Sequence, residues 1–440
     1  MTANTDSAQV TESRMAALRV AQEVARGLRL DVSFSRVAAR LASRDRAFVH
    51  ELVYGVSRLR GRLDHLLARR VDRGLERLDP GVHEILRLGA YQVLYMKGVP
   101  RYAAVSQAVA QARGLAGARA AGLVNAVLRG VADDGDSLEL FPDPEVDVAG
   151  FLSTWGSHPA WLVERWLERW TPEEVHALVD ADNSRPGLFL LPLEAKPEEA
   201  VEVLEAAGLG AEAVGQGTAC VRLAAGVDPA TAVEILPSVI QDPGASLVVG
   251  YADPDPGMEV ADLCAAPGGK ALALSCRASY TVAADRSEVR MRIVRDNVAR
   301  TGRKLGLVVA DARRPPLRGM SMVVVDVPCT GTGTLRRHPD GRWRIGPASI
   351  REMARLQRDI LDSCAGLVPP GGLLVYSTCS LEPEENEEQV DAFLRRHAEF
   401  HMQATETVPE EYLDDQGRLR VLPQRSGFDG AFAARLRRVG

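Results

Sequence analysis

Two cysteines in this chain stand where a nucleophile could stand. The run Asp326-Val327-Pro328-Cys329-Thr330-Gly331-Thr332-Gly333 sets one of them near a carboxylate, and Ser377-Thr378-Cys379-Ser380 carries the other further on. A thiolate is the side chain best suited to add to an electron-poor ring carbon, because it is strongly nucleophilic even when only partly ionised. A nearby carboxyl, Asp326, can donate or accept the proton that such an addition requires. The combination points to chemistry on a heterocycle rather than on an ester or a phosphate. Three further cysteines, Cys220, Cys276 and Cys364, are expected to be small buried hydrophobes. All six cysteines are scattered, which fits neither a secreted disulfide framework nor a Cys-x-x-Cys metal pattern. No metal is expected, and the compartment expected is a reducing cytoplasm.

A second constellation looks like a cofactor site. Asp262-Leu263-Cys264-Ala265-Ala266-Pro267-Gly268-Gly269-Lys270 reads as a loop from a strand into a helix, with two glycines to let a ligand approach the backbone and a helix N-terminus to hold a carboxylate. Cys264 stands where a phosphate-binding Walker loop needs its first glycine, and Ala271 replaces the Ser or Thr of that motif. The three-glycine dinucleotide fingerprint is also absent. Asp285 is placed to bind the two hydroxyls of a ribose, and Asp311 could accept from an adenine amino group. A nucleoside without phosphates, bearing an amino-acid tail, fits S-adenosylmethionine. Only four of the 53 basic residues are lysines, so Lys270 suggests a place where a compact ammonium fits and a guanidinium does not.

The elements that must position these residues follow from periodicity. From residue 240 strands alternate with helices, as in a doubly wound parallel sheet. Strands are expected at Met258–Cys264, Thr281–Asp285, Leu307–Asp311, Met322–Val327 and Leu373–Thr378, with helices near 269–277, 287–301, 347–367 and 384–397. An antiparallel hairpin, Leu419–Leu422 with Ala431–Leu436, would close the sheet. Cys264, Asp285, Asp311, Asp326 and Cys379 then all lie beyond the carboxyl ends of strands, where ligands bind in such folds. The acidic run Glu382–Glu388 is expected to cap and solvate the helix that follows it.

Residues 14–132 read as a bundle of five to seven helices. Apolar residues recur at helical spacing in Leu52/Val56/Leu59/Leu63/Leu66 and Ile85/Leu88/Tyr91/Leu94, and Asp79-Pro80 opens a helix. Val20, Val24, Leu28 and Leu30 would precede a turn near Asp31. Residues 1–132 carry 21 basic against 11 acidic side chains, while the remaining 308 carry 32 against 48. A basic module on an acidic body suggests a polyanionic partner such as a nucleic acid, although an arginine-rich solvated surface fits the same count. The expected division is a helical domain at 1–135, a linker and short helical segment at 136–183, a small α+β module at 184–239 and a catalytic domain at 240–440. Trp155, Trp161, Trp166 and Trp170 are expected to pack rather than stack on bases. No apolar run reaches the roughly 18 residues of a membrane helix, and the N-terminus is polar with no apolar targeting segment.

Together these residues resemble the bacterial small-subunit ribosomal RNA cytosine-5 methyltransferases of the Sun/Fmu type. The matching pieces are Asp262–Lys270, Asp326–Gly333, Thr378-Cys379-Ser380, Arg336-Arg337-His338-Pro339-Asp340 with Trp343, and Ile240-Gln241-Asp242. The N-terminal half, through Asp45-Arg46-Ala47, Val53-Tyr54-Gly55 and Asn125-Ala126-Val127-Leu128-Arg129, resembles the NusB antitermination fold. The resemblance implies a multidomain chain with an all-α NusB-like bundle, a small α+β module and a Rossmann-like α/β domain dependent on S-adenosylmethionine. It makes Cys379 the nucleophile, Cys329 the cysteine assisting product release, and Cys264, Ala265, Ala266, Pro267, Gly268, Gly269, Lys270, Asp285, Asp311 and Asp326 the cofactor-contacting positions. Arg336, Arg337 and Arg344 would meet RNA phosphates. The implied substrate is small-subunit ribosomal RNA, acted on by a monomer away from membranes. Transfer RNA is an alternative substrate, and a non-catalytic RNA-binding assembly factor an alternative class. Thr330, Ala271 and Val327 depart from the residues usual in the family.

Overall fold

The structure, a computed structural model, describes residues 10–439. The expectation for the extreme N-terminus falls mostly on residues 1–9, outside the described residues. Among the described residues no helix is long and apolar enough to cross a membrane, and no group of His, Cys, Asp and Glu could hold a metal ion. The chain forms two compact units, the first running to Ser184 and also taking in Leu335–Gly346, the second containing the rest.

The first unit is helical. Helices α1 (Glu12–Ala25), α2 (Leu30–Val37), α3 (Ser43–Ala68), α4 (Pro80–Tyr95) and α5 (Arg101–Asp134) share one apolar core that includes Val20, Leu52, Ile85, Leu88 and Val127, with α4 enclosed on nearly every face. α4 starts where it does because Pro80 suits a first helical turn and the Asp79 carboxylate accepts from the free N–H groups of Gly81 and Val82. α5 turns at Gly117, whose φ of +80° a side chain would resist. The turn expected near Asp31 comes earlier: α1 stops at Ala25, Gly27 has φ +96°, and Asp31 sits in the first turn of α2. Leu28 is consequently a loop residue and exposed rather than part of a core stripe.

Helices α6 (Val148–Thr154), α7 (Ala160–Leu167) and α8 (Pro172–Asn183) complete the chain-continuous part of this unit. Trp166 is fully buried near His158, and the Arg62 guanidinium lies 3.6 Å over the ring of Trp155. Residues 335–346 then return as a strap with one short helix, α14 (Gly341–Arg344); α9 to α13 belong to the second unit. The buried Arg342 guanidinium donates to the carbonyls of Ser157 (3.2 Å) and Asp182 (3.2 Å) and to Asn183 Oδ1 (2.8 Å). Burial lowers its pKa to about 10. Trp343 Nε1 donates to the Ser57 carbonyl (2.8 Å), and Leu30 N donates to Asp340 (3.2 Å).

The second unit contains two sheets. Strands β1 (Phe189–Pro192), β2 (Ala211–Ala213), β3 (Val221–Leu223) and β4 (Ser238–Ile240) form an antiparallel sheet in the order β2-β3-β1-β4, covered by α9 (Pro197–Ala206) and α10 (Pro229–Ile235). After α11 (Pro243–Ala252) come β5 (Glu259–Asp262), α12 (Gly269–Leu274), β6 (Tyr280–Asp285), α13 (Glu288–Thr301), β7 (Gly306–Val309) and β8 (Met322–Asp326). α15 (Pro347–Ala365), β9 (Leu373–Thr378), α16 (Glu387–Arg396), β10 (Phe400–Met402), β11 (Leu419–Val421) and β12 (Ala431–Arg438) follow. The large sheet has the order β10-β12-β9-β8-β5-β6-β7, parallel from β9 to β7, with β12 antiparallel beside β9 and β11 paired to β12. The chain leaves β5 toward β6 and β7, then returns to β8 on the other side. This order reversal opens a crevice between the carboxyl ends of β5 and β8. The small sheet supports that crevice, because Leu191, Cys220 and Val239 pack against Leu272 and Ala273 of α12.

Arg342→Ala would leave several buried acceptors without a donor, at about 1–3 kcal/mol each. The variant is expected to lower the stability of the helical unit by about 3 kcal/mol in urea unfolding. A loss below about 1 kcal/mol would mean that water replaces the guanidinium.

Candidate active site

The two cysteines meet. Cys329 lies just past β8 and Cys379 just past β9, and their sulfurs are 3.2 Å apart with both thiols free. The side chain that holds the two loops together is Glu385. It is fully buried, and it accepts from Thr330 N (2.9 Å), the Thr330 hydroxyl, Ser380 Oγ (2.5 Å) and Gln357 Nε2 (2.9 Å). Asn386 adds a second clamp, donating to the Ser380 carbonyl (2.8 Å) and accepting from Thr378 Oγ1 (2.5 Å). Gly333 completes the arrangement through N–H donation to the Cys379 carbonyl (2.9 Å). A Cβ on Gly333 would lie 2.7 Å from that oxygen and 2.8 Å from Gly430 Cα, so no side chain fits. Burial raises the Glu385 pKa, and its four donors work against that rise. The hydrogen bond shared with Cys379, and then burial, push the Cys329 thiol well above the ordinary thiol range.

Within the acidic run 382–388 these contacts overturn the solvated reading for Glu382 and Glu385, which are fully buried, while Glu387 and Glu388 do lie in the first turn of α16 as expected. Glu385 was hidden in that run. The available signal was the alternation Ser380, Glu385, Asn386 beside a cysteine loop, which offers acceptors to a loop rich in hydroxyls. Cys276 also departs from expectation: it is exposed at the end of α12, whereas Cys220 and Cys364 are buried.

Charge is concentrated in the crevice. Lys270 Nζ donates to Asp326 Oδ2 (2.7 Å), and Ser377 Oγ donates to Asp326 Oδ1 (2.9 Å). Both oxygens of Asp326 therefore accept. Burial works against the Lys270 charge, but Asp326 outweighs it and holds the ammonium above its ordinary range. Asp262 is completely buried, and burial followed by repulsion from Asp326 raises it to about 7. Its Oδ1 accepts from Cys264 N (3.3 Å), while Oδ2 has no hydrogen-bond partner. Burial likewise pushes the Cys264 thiol well up.

The loop Cys264–Lys270 joins β5 to α12. Its glycines are crowded by protein as well as lining the loop. A Cβ on Gly268, at φ +106°, would meet Val294 at 3.2 Å, and one on Gly269 would lie 2.5 Å from Gln241 Oε1. Asp285 ends β6, is buried, and accepts from Ser287 N (2.9 Å) and Ala266 N (3.3 Å). Asp311 lies just past β7, partly exposed and tied to Arg313 (2.6 Å); that hydrogen bond lowers it to about 2. These residues fit S-adenosylmethionine. The uncommitted oxygen of Asp262 can take a ligand donor, Asp285 offers a carboxylate to hydroxyls, and the loop brings no cluster of cations such as a phosphate would need.

Family models match along the chain in three places. Residues 250–437 match the 16S rRNA methyltransferase RsmB/F model, 11–133 the NusB family, and 158–229 a ferredoxin-like domain of RsmF/B-like methyltransferases. A ribosomal RNA small subunit methyltransferase B from Vibrio vulnificus is 32% identical, aligned over 94% of this chain and 96% of its own. The chain belongs to this family. The Klebsiella pneumoniae member is 33% identical over 96% of this chain and 97% of its own. The family is one of S-adenosylmethionine-dependent RNA methyltransferases, with a NusB-like helical domain, a ferredoxin-like module and a mixed-sheet catalytic domain. The solved protein PH0851 shares the fold over 98% of this chain and 99% of its own (TM-score 0.78, 24% identity). A methyltransferase homologue from Pyrococcus horikoshii covers 68% of this chain and all of its own (TM-score 0.56, 24% identity).

Asp262 gives the site a pH signature. Its folded pKa, about 7, lies above the unfolded value of about 4. The folded state therefore holds the extra proton, and this contribution to stability is fully present below about pH 4 and is lost as pH rises toward 7. Asp262→Asn is expected to flatten that decline and to raise the melting temperature at pH 8 relative to the parent. Equal slopes from pH 4 to 8 in the two proteins would count against a buried, proton-holding Asp262.

Proposed function

We propose that this protein methylates carbon 5 of a cytosine in small-subunit ribosomal RNA through a covalent Cys379–cytosine adduct. The observation that carries the reading is the 3.2 Å approach of Cys329 and Cys379 beside the Lys270–Asp326 pair. Carbon 5 of cytosine is too weak a nucleophile to be methylated unaided. Attack of the Cys379 thiolate on carbon 6 forms the S–C6 bond and moves the C5–C6 electron pair through the ring toward N3, making carbon 5 nucleophilic. Cys329 keeps its proton and donates to the Cys379 sulfur, which favours Cys379 as the thiolate of the pair. Asp326 receives the proton of Lys270 and delivers it to N3 as charge develops there.

The methyl donor is S-adenosylmethionine, which supplies an electrophilic methyl group when bound. Asp285 would orient the ribose, Asp311 the adenine, and residues 264–270 the amino-acid end. As the C6–S bond breaks, Cys379 leaves with the proton of Cys329, the Cys329 thiolate takes the carbon 5 proton, and the N3 proton returns through Asp326 to Lys270. The target cytosine must leave its stack to expose carbon 6 to one sulfur and carbon 5 to the donor. Residues 1–135 serve as the RNA-binding module, 136–183 as a linker with short helices, 184–239 as a buttress for α12, and 240–440 as the catalytic domain. Every side chain used here comes from one chain, so a cytoplasmic monomer suffices. Bisulfite mapping of ribosomal and transfer RNA from cells lacking the gene tests the substrate. Loss of a methylcytosine in small-subunit RNA is expected, and loss confined to transfer RNA would reassign it.

Two variants separate the cysteine roles. Cys379→Ala should abolish methylation and form no covalent RNA complex. Cys329→Ala should accumulate an RNA adduct that survives denaturing electrophoresis in the presence of S-adenosylmethionine. The reverse pattern would make Cys329 the nucleophile. Asp285→Ala should weaken S-adenosylmethionine binding by about 1.5–3 kcal/mol, the cost of charge-assisted hydrogen bonds. Unchanged affinity by calorimetry would remove Asp285 from the cofactor site.

A further inference from the structure

The helical unit contains a cavity of about 460 Å³ that no step of the mechanism uses. Its floor is apolar, with Val24, Leu30 and Val56 among the lining residues, and one wall is Trp343 of the returning strap. Three guanidiniums and the carboxylates of Glu84 and Asp340 line it, and the guanidiniums differ in how far those and other carboxylates satisfy them. Arg87 is buried and satisfied by Asp64 (2.7 Å to each oxygen) and by Glu84. Arg344 bonds Asp340 (2.9 Å). Arg60 has its nearest carboxylate oxygen, on Asp64, at 3.9 Å, and among the described residues its guanidinium has no hydrogen-bond acceptor. It lies over the Trp343 ring, 5.3 Å from the centroid, and the indole is itself fixed by the Ser57 carbonyl. Burial, and then repulsion from Arg87, lower the Arg60 pKa, so the charge is held where an anion would stabilise it.

We infer that this cavity is a second RNA-binding site, taking a single unstacked nucleotide with its phosphate on Arg60 and its base against Trp343. The volume lies in the range of pockets for ligands of nucleotide size. Bases stack on aromatic rings and on guanidinium planes, and this wall offers both together. Inorganic phosphate alone would satisfy Arg60 but would leave the apolar floor and the indole unused. The inference rests on RNA as the substrate of the family and adds a point of recognition within the helical unit.

The test uses the full-length protein and a small-subunit ribosomal RNA fragment, with binding measured across salt concentrations. Arg60→Gln is expected to weaken binding by about 10-fold and to reduce the slope of log K against log salt by about one phosphate. Arg60→Lys should keep the slope and recover part of the affinity. Trp343→Leu should weaken binding roughly 10-fold with the slope unchanged, as loss of stacking alone would. Parent affinity and slope in both Arg60→Gln and Trp343→Leu would overturn the site. Displacement of RNA from the parent by micromolar adenosine monophosphate, with the same sensitivity to Arg60→Gln, would overturn the RNA assignment in favour of a free nucleotide. Methylation by the parent protein is followed in parallel. An inactive parent counts against the proposed reaction, whereas an active parent with unaffected variants counts against this cavity alone.

Discussion

A buried carboxylate organises the reacting end of this molecule. Glu385 takes donors from the loop after β8 and from the loop after β9, and so fixes how close two sulfurs can come. Removing a carboxylate from water is costly unless its lone pairs are filled, and here Thr330, Ser380 and Gln357 fill them. The dependence runs both ways. Thr330 and Ser380 have their conformations set by Glu385, and Glu385 is tolerated inside the protein only because they are there. A neutral, apolar bridge of the same size could pack the loops but could not specify their register.

The charge pattern in the crevice divides labour among three carboxylates. Asp285 is satisfied by backbone N–H groups, Asp326 by Lys270 and Ser377, and Asp262 by one backbone N–H with an oxygen left over. Lys270 pairs with Asp326, and the Arg290 guanidinium lies 3.6 Å from Asp285. Asp262, the most enclosed, has no ion pair of its own among the described residues, and burial raises it. The rarity of lysine in this chain gains a meaning here. Lys270 places its charge at a point on Asp326, where the planar fork of a guanidinium would reach for both oxygens and displace Ser377.

The sequence made the catalytic sheet legible because parallel strands buried on both faces leave continuous apolar runs. Leu373–Thr378 is found within its expected limits, and Asp285 ends its strand as read. Periodicity also revealed the N-terminal helical bundle, but it misplaced the turn at Asp31, since a glycine at Gly27 ended α1 while the apolar pattern ran on. Glu385 escaped because charge count reports composition and not burial: a glutamate-rich run looks solvated until its hydroxyl partners arrive from elsewhere in the chain. The glycines of the cofactor loop were legible as necessary, but their crowding by protein was not. Their neighbours, Val294 and Gln241, are separated from them in sequence, so crowding against protein could not be told from room for a ligand. Residues 335–346 gave no sign that they fold with helices more than 150 residues earlier.

That strap has a consequence for how the protein is made. A ribosome releases the eight helices up to Asn183 first, yet the carbonyls of Ser157 and Asp182 wait for Arg342, and the N–H of Leu30 for Asp340. The helical unit must therefore spend the synthesis of residues 185–334 with an unfilled socket. Its final packing becomes a report that the chain has been translated past both β8 and Cys329, so a truncated product ending before the strap carries an incomplete helical unit and also lacks Cys379.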